Sequence, residues 1–395
     1  MKNLPNRLQA KLDLRDENKS LRRLSERADL IDFSSNDYIG FASSKNIFDQ
    51  THQLLVTRKM YQNGATGSRL LSGNHDLYRE TEDMLADFYN AESALIFNSG
   101  YDANVGFFSS IAQRGDIIFY DELIHASIRD GIKISNAKSY KFAHNNISDL
   151  QKRLQQNKSN KKSSAESFEV YIVTESVFSM DGDIPDLQGF VTFCKENNCH
   201  LIVDEAHATG VFGKYGVGIL QGLGIENNIF ARIHTFGKAL GCHGAVILGS
   251  NELKKYLINF ARSFIYTTGL PPHSLATIQS AHAALQTTDA IDRLTKNITF
   301  FNQNLDATNL KSRFIKSNSA IHCCIISGNE HVQNVARQIQ KKGFNVKPIL
   351  SPTVPVGEER LRFCIHAYNS KDEITNVLNL LATFVREYAK QDHEN

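Results

Sequence analysis

Leu201-Ile202-Val203-Asp204-Glu205-Ala206-His207 sets three branched apolar residues directly against two acids and a histidine. A run this short, bounded by polar residues, reads as a buried strand that stops where the charge begins. The same grammar recurs at residues 94–97, 117–120, 170–174, 233–236 and 245–248, each rich in β-branched or aromatic residues and bounded by Gly, Asp, Asn or Ser. The stretches between these runs are long enough for amphipathic helices. Strands alternating with helices predict an α/β fold with a mostly parallel sheet and helices on both faces.

Outward from this middle section the rhythm changes. Residues 8–25 form a charged, helix-like stretch, and 34–38 a polar turn before Gly40. A helical stretch follows Pro271-Pro272 to about residue 285. Beyond it, 320–326 reads as a strand, 331–342 as a helix, 344–349 and 360–366 as strands, and 372–388 as a final helix. That is a small C-terminal α+β domain. The division expected is an N-terminal segment over 1–45, a large domain over 46–288 and the small domain over 289–395. Residues 155–167, rich in Gln, Asn, Ser and Lys, read as a surface loop. No internal repeat is present.

Composition narrows the function. The 395 residues are 41% hydrophobic and 22% charged, with a formal charge of +2, ordinary for a globular protein. So small a net charge, spread along the chain, gives no field that argues for nucleic acid; the one compact basic run, 158–162, lies in the expected loop. The six cysteines form no CxxC pair, and Cys323 and Cys324 lie inside an apolar run. Neither a disulfide framework nor a metal site is expected, and a reducing, cytoplasmic setting fits best. The first 24 residues lack the apolar core of a secretory signal. No apolar run is long enough to span a membrane.

Four polar constellations follow predicted strands, where open α/β sheets bind ligands. In the first, Asp204 and His207 are three apart, so one turn can aim both into a cleft. A capping acid and a structural histidine would look the same; the functional alternative is a carboxylate that keeps a pyridine nitrogen protonated. The second is His234-Thr235-Phe236-Gly237-Lys238. A lone lysine there is usually solvated, but Gly237 and Gly241 would admit a bulky cofactor, and Schiff-base chemistry needs a lysine with a lowered pKa. The third, Asn98-Ser99-Gly100-Tyr101, would present backbone N–H groups to a phosphate at a helix start. The fourth contains His125, which could lie flat on an aromatic ring or be merely structural.

These stretches resemble the α-oxoamine synthases, within the fold-type I pyridoxal-phosphate enzymes. The resemblance runs through SSNDYIG (34–40), FNSGYDAN (97–104), DELIHASIRDG (121–131), TESVFSMDGDIPDL (174–187), VDEAHATGVFG (203–213), HTFGKALGCHGAV (234–246) and SPTVPVGEERLR (351–362). Within the family, KFAHNNISDL (141–150) and FARSFIYTTGLPP (260–272) are most similar to the branch that makes 8-amino-7-oxononanoate for biotin synthesis. Tyr101 stands where phenylalanine is also common, and Leu350 where some relatives carry arginine.

The resemblance implies an acyltransferase whose pyridoxal 5'-phosphate is carried on Lys238 as a Schiff base. Asp204 would bind the pyridine nitrogen, His207 the phenolic oxygen, and His125 would stack on the ring. Ser99, Gly100, Tyr101, Ser179, Thr235 and Thr268 would hold the phosphate or orient the ring. Arg362 would take the amino-acid carboxylate in a bidentate contact, helped by Asn36, while Arg22 and Thr353 match substrate-contacting positions. The implied substrates are L-alanine and pimeloyl-CoA or pimeloyl acyl carrier protein, giving 8-amino-7-oxononanoate, carbon dioxide and the free thiol. The implied assembly is a homodimer with shared active sites, in which 64–75 and Thr267-Thr268 reach the partner's cofactor. The alternatives are a sister enzyme (2-amino-3-ketobutyrate ligase, 5-aminolevulinate synthase or serine palmitoyltransferase) or a non-catalytic cofactor-binding regulator. Lys238, Asp204, His207 and Arg362 together argue against the regulator, since binding alone needs no carboxylate clamp.

Overall fold

Period-two alternation governs the central sheet. Ile118, Val173, Ile202 and Ile233 pack into one apolar cluster. Ile117, Phe119, Ile172, Leu201 and Val203 pack into another. Neighbouring residues of a strand point to opposite faces, so runs that are apolar at every position give a sheet covered on both sides. The computed structural model describes residues 4–22, 24, 29–160 and 168–394. Its strands in this sheet are β1 (Ser93–Phe97), β2 (Ile117–Asp121), β3 (Lys138–Phe142), β4 (Val170–Glu175), β5 (His200–Asp204), β6 (Ala231–Thr235) and β7 (Ala245–Gly249). Their order is β1-β7-β6-β5-β4-β2-β3. Strands β2 to β6 pair in parallel, and β7 runs antiparallel to both β6 and β1. This is the mostly parallel sheet expected, in the fold-type I arrangement.

The chain divides into two compact units. The larger takes in Ile39–Phe178 and Ile184–Ile291, the smaller Met1–Tyr38, Ser179–Asp183 and Asp292–Asn395. The early segment therefore does not stand apart from the small C-terminal domain. Ile31–Asp32 pairs in parallel with Phe344–Asn345, which also splits the single strand expected at 344–349. The rest of that stretch, β9 (Lys347–Ile349), joins β8 (Ile321–Ile325) and β10 (Arg360–Cys364) in an antiparallel sheet of order β9-β10-β8. Helices Asn329–Lys341 and Lys371–Glu394 complete the α+β unit.

Two local expectations change, and one strand was not marked in the sequence. The N-terminal helix is Asn6–Glu17, shorter than the stretch 8–25, of which 23 and 25 fall outside the described residues. The loop expected at 155–167 is helical in its first part, because Ile147–Asn160 is one helix with Leu150 and Leu154 buried beneath its polar face; residues 161–167 fall outside the described residues. Strand β3 lies at the sheet edge with Lys138, Ser139 and Lys141 exposed, and edge strands carry such lysines because they discourage pairing with a further strand. Among the described residues no helix is long and apolar enough to cross a membrane.

Candidate active site

Parallel strands that end together deliver their last residues to one edge. Glu175 ends β4, Asp204 ends β5 and Thr235 ends β6, while His125 follows β2 and Gly100 follows β1. Gly100, Tyr101, His125, Asp204, His207, Thr235 and Lys238 line one cleft, joined by Asn104, Ser127 and Glu175.

Each side chain in the cleft is fixed by a partner. Asp204 is 6% exposed. Its Oδ1 accepts from the Ala206 amide at 2.8 Å and its Oδ2 from Asn104 Nδ2 at 2.9 Å. Lys238 Nζ lies 2.9 Å from His207 Nε2. The Glu175 carboxylate accepts the backbone amide of His125. Burial, with the neighbouring Asp204 charge, pushes the Glu175 carboxyl well above its ordinary range. Burial, aided by the Lys238 charge, pushes His125 below the ordinary histidine value, so at neutral pH its ring carries one proton.

At the mouth, Ser99 caps the helix Gly100–Ile111. Its hydroxyl accepts from the Asp102 amide at 3.0 Å and donates to Asp102 Oδ2 at 2.8 Å. The amides of the first turn have no preceding carbonyl within the helix, which suits an anion. A Cβ on Gly100 would come within 3.3 Å of Thr235 Oγ1, so the bare backbone keeps this cradle open. The Thr235 hydroxyl donates to the Gly244 carbonyl at 3.3 Å. Thr267 and Thr268 are tied to the neighbouring Asn98, whose amide nitrogen donates to Thr267 Oγ1 at 3.0 Å and to the Thr268 carbonyl at 2.6 Å. Tyr101 is exposed and its hydroxyl donates to Asp130 Oδ2.

One sequence argument is replaced. Gly241 is needed by its own chain and not by a cofactor: its φ is +61°, and a Cβ there would lie 2.2 Å from the Ala42 amide nitrogen. Gly237 does have room, with nothing nearer than 3.7 Å.

The smaller unit holds its own cluster. Arg362, on β10, donates from Nε to the Ser179 carbonyl at 2.8 Å, from Nη2 to Asn36 Oδ1 at 3.0 Å and from Nη1 to Cys364 Sγ. Tyr38 also donates to Asn36 Oδ1 at 3.0 Å. Arg22 and Thr353 are exposed.

Sequence reading missed Glu175, Asn104 and Ser127. The rule that marked Asp204, an acid closing a buried strand, applies equally to Glu175. Asn104 and Ser127 sit on helices, and nothing local distinguishes them.

A primary amine beside an imidazole, a carboxylate fixed by two donors, and a glycine-lined helix start form a donor set that fits a phosphorylated pyridine aldehyde. Fold and cleft together define a fold-type I pyridoxal-phosphate transferase. A family model for class I and II aminotransferases matches residues 28–381. An 8-amino-7-oxononanoate synthase of Emericella nidulans is 41% identical over 373 residues, covering 91% of this chain and 90% of that protein. Among solved structures, a serine palmitoyltransferase of Sphingomonas wittichii superposes with a TM-score of 0.87 at 27% identity, covering 98% of this chain and 99% of that one. An 8-amino-7-oxononanoate synthase of Francisella tularensis does so with 0.75 at 31% identity, covering 91% and 99%. The chain belongs to the class I and II aminotransferase family and, within it, to the α-oxoamine synthases, which are pyridoxal-phosphate-dependent acyltransferases.

Proposed function

We propose that this enzyme condenses L-alanine with a pimeloyl thioester, CoA or acyl carrier protein, to give 8-amino-7-oxononanoate, carbon dioxide and the free thiol. The observation that carries this reading is the convergence of Lys238, Asp204, His207 and His125 on one cleft, in a chain so similar along its length to a synthase of that name.

In this reading Lys238 would hold the cofactor covalently, and its amine, when free, would take the α-proton of alanine. Asp204 would bind the ring nitrogen and keep a proton on it. His207 would bind the phenolic oxygen, and His125 would stack on the ring. Gly100, Tyr101, Thr235 and Ser179 hold the phosphate or orient the ring, and Ser99 sets the helix start they depend on. Arg362, kept in place by Asn36, receives the alanine carboxylate, with Arg22 and Thr353 nearer the acyl substrate. Bound pyridoxal phosphate supplies the electron sink for the bonds broken at the α-carbon.

We propose further that the active form is a homodimer in which 64–75 and Thr267-Thr268 reach the partner's cofactor. Arg69 pins the first segment, donating to Glu82 Oε1 and to Asn74 Oδ1 and lying 3.8 Å over the Tyr78 ring. Leu71, within the first segment, and Tyr266, next to the second, stand 86% and 72% exposed and are open to a partner surface.

A second reading, acylation of serine by a longer thioester, draws on the high structural similarity to serine palmitoyltransferase. One assay separates them. The holoenzyme is given alanine, glycine or serine with pimeloyl or palmitoyl thioesters, and product mass and carbon dioxide are followed. Turnover of alanine with pimeloyl thioester is expected. Turnover confined to serine with palmitoyl thioester would replace the first reading with the second.

A further inference from the structure

The helices Gly100–Ile111 and Ala126–Ile134 cross at Gly131. A Cβ on Gly131 would lie 2.8 Å from the Asn104 carbonyl oxygen and 2.8 Å from Phe108 Cβ, so only a bare glycine permits this approach. The crossing sets Asn104 against Ser127 in the wall of the cleft, both buried.

The proton count in this pair is closed. The Asn104 amide nitrogen has two protons and two acceptors, Asp204 Oδ2 at 2.9 Å and Ser127 Oγ at 3.0 Å. Ser127 Oγ, accepting from Asn104, has one proton to give, and His125 Nδ1 lies 2.7 Å away. The Ser127 backbone amide approaches the same ring nitrogen at 3.3 Å. A ring nitrogen facing two donors is an acceptor, so the ring's proton sits on Nε2.

The far end of the amide shows what this arrangement forgoes. Asn104 Oδ1 is buried and has no hydrogen-bond partner among the described residues. Turning the amide over would set that oxygen against the Asp204 carboxylate, so the orientation follows from the network. A buried acceptor left unpaired is unfavourable. An apolar side chain of similar volume would fill the space without it, but would supply neither proton.

We propose that Asn104 and Ser127 are positioning residues that link Asp204 to His125 and hold His125 as the neutral tautomer protonated on Nε2. The proposal rests on the reading that Asp204 and His125 flank the bound cofactor. His125 then offers the cofactor an uncharged ring with a single N–H, adding no second cation beside Lys238. The low proton affinity that burial and Lys238 impose on His125 agrees with this.

Neutron diffraction from perdeuterated holoenzyme crystals tests the tautomer without any substitution. A deuteron on Nε2 of His125, none on Nδ1, and the Ser127 deuteron directed at Nδ1 are expected. A deuteron on Nδ1 overturns the proposal. Solid-state spectra of 15N-histidine-labelled holoenzyme, with His125 assigned through His125→Gln, test the link. Ser127→Ala and Asn104→Ala should each move the His125 Nδ1 resonance, and Asn104→Ala should also move that of a 15N-labelled cofactor ring nitrogen. Resonances unchanged in both variants would overturn the link. A ring nitrogen indifferent to Asp204→Asn would instead remove the role given to Asp204, whatever the tautomer of His125.

Discussion

At the scale of single residues, the His207 ring stands 2.9 Å from the Lys238 amine. Borohydride reduction of the holoenzyme should fix the cofactor's mass on the peptide containing Lys238. Lys238→Ala should abolish both that adduct and the visible absorbance of the resting protein; mass recovered on another peptide would move the attachment site. In the role proposed for Asp204, Asp204→Asn would keep the shape but could not hold the ring nitrogen protonated. Exchange of the alanine α-proton, followed by NMR in heavy water at saturating cofactor, should slow by on the order of a hundredfold or more, with little change in cofactor affinity. Glu205 carries a pH effect of its own. Its Oε1 accepts the Ile219 and Leu220 amides at 2.7 and 3.2 Å, yet burial pushes its carboxyl up from 4.5 to about 7. The folded chain therefore holds this proton longer than the unfolded one. The stability tied to it is fully present below pH 4.5 and is lost as pH rises through about 7, roughly 3 kcal/mol in all. Glu205→Gln should gain on the parent in urea midpoint at pH 8 and not at pH 5; equal gaps at both would show that Glu205 does not titrate in this range. Sequence could mark Asp204, His125 and Lys238, because each stands where an apolar run stops. It could not mark Asn104, whose meaning lies in a contact with a residue 100 positions away.

At the scale of elements, the buried strands announced themselves through unbroken apolar runs. Strand β3 did not, because one of its edges is open and its sequence, Lys-Ser-Tyr-Lys-Phe, answers to solvent. The helix over 147–160 was mistaken from residue 155 onward because its anchors Ile147, Leu150 and Leu154 all lie before that point, and the polar residues beyond them resemble a loop. Helix packing was invisible in the same way: Gly131 lies inside a helix, where glycine is ordinarily unfavourable, and its reason appears only when the second helix is seen against it. Gly131→Ala should force the helices apart at a cost of about 1–3 kcal/mol. Calorimetry should show a lower unfolding temperature, and an unchanged one would mean that the crossing relaxes without strain.

At the scale of the whole molecule, an exposed Leu71 is the cheapest test of assembly. Burial of a leucine is worth about 1.5–3 kcal/mol, and a two-fold interface counts it twice. Leu71→Asp should therefore weaken self-association by roughly a hundredfold or more. Sedimentation should show monomer at concentrations where the parent is dimeric, with activity falling in step. A monomeric parent at full activity would end the dimer proposal. The reversed strand of the large sheet has a different consequence. Because β7 returns antiparallel beside β6, residues 236–244 close a tight hairpin-like link where a parallel neighbour would have needed a helical crossover. Lys238 rides on that link, held at both ends by strand pairing. An amine carried on a backbone so tethered meets a target in the cleft at an effective concentration far above any that a free amine reaches in solution. The one strand that breaks the parallel pattern thus acts as a short leash, and in the role proposed for Lys238 it would make both proton transfer by the lysine and its reattachment events within one molecule.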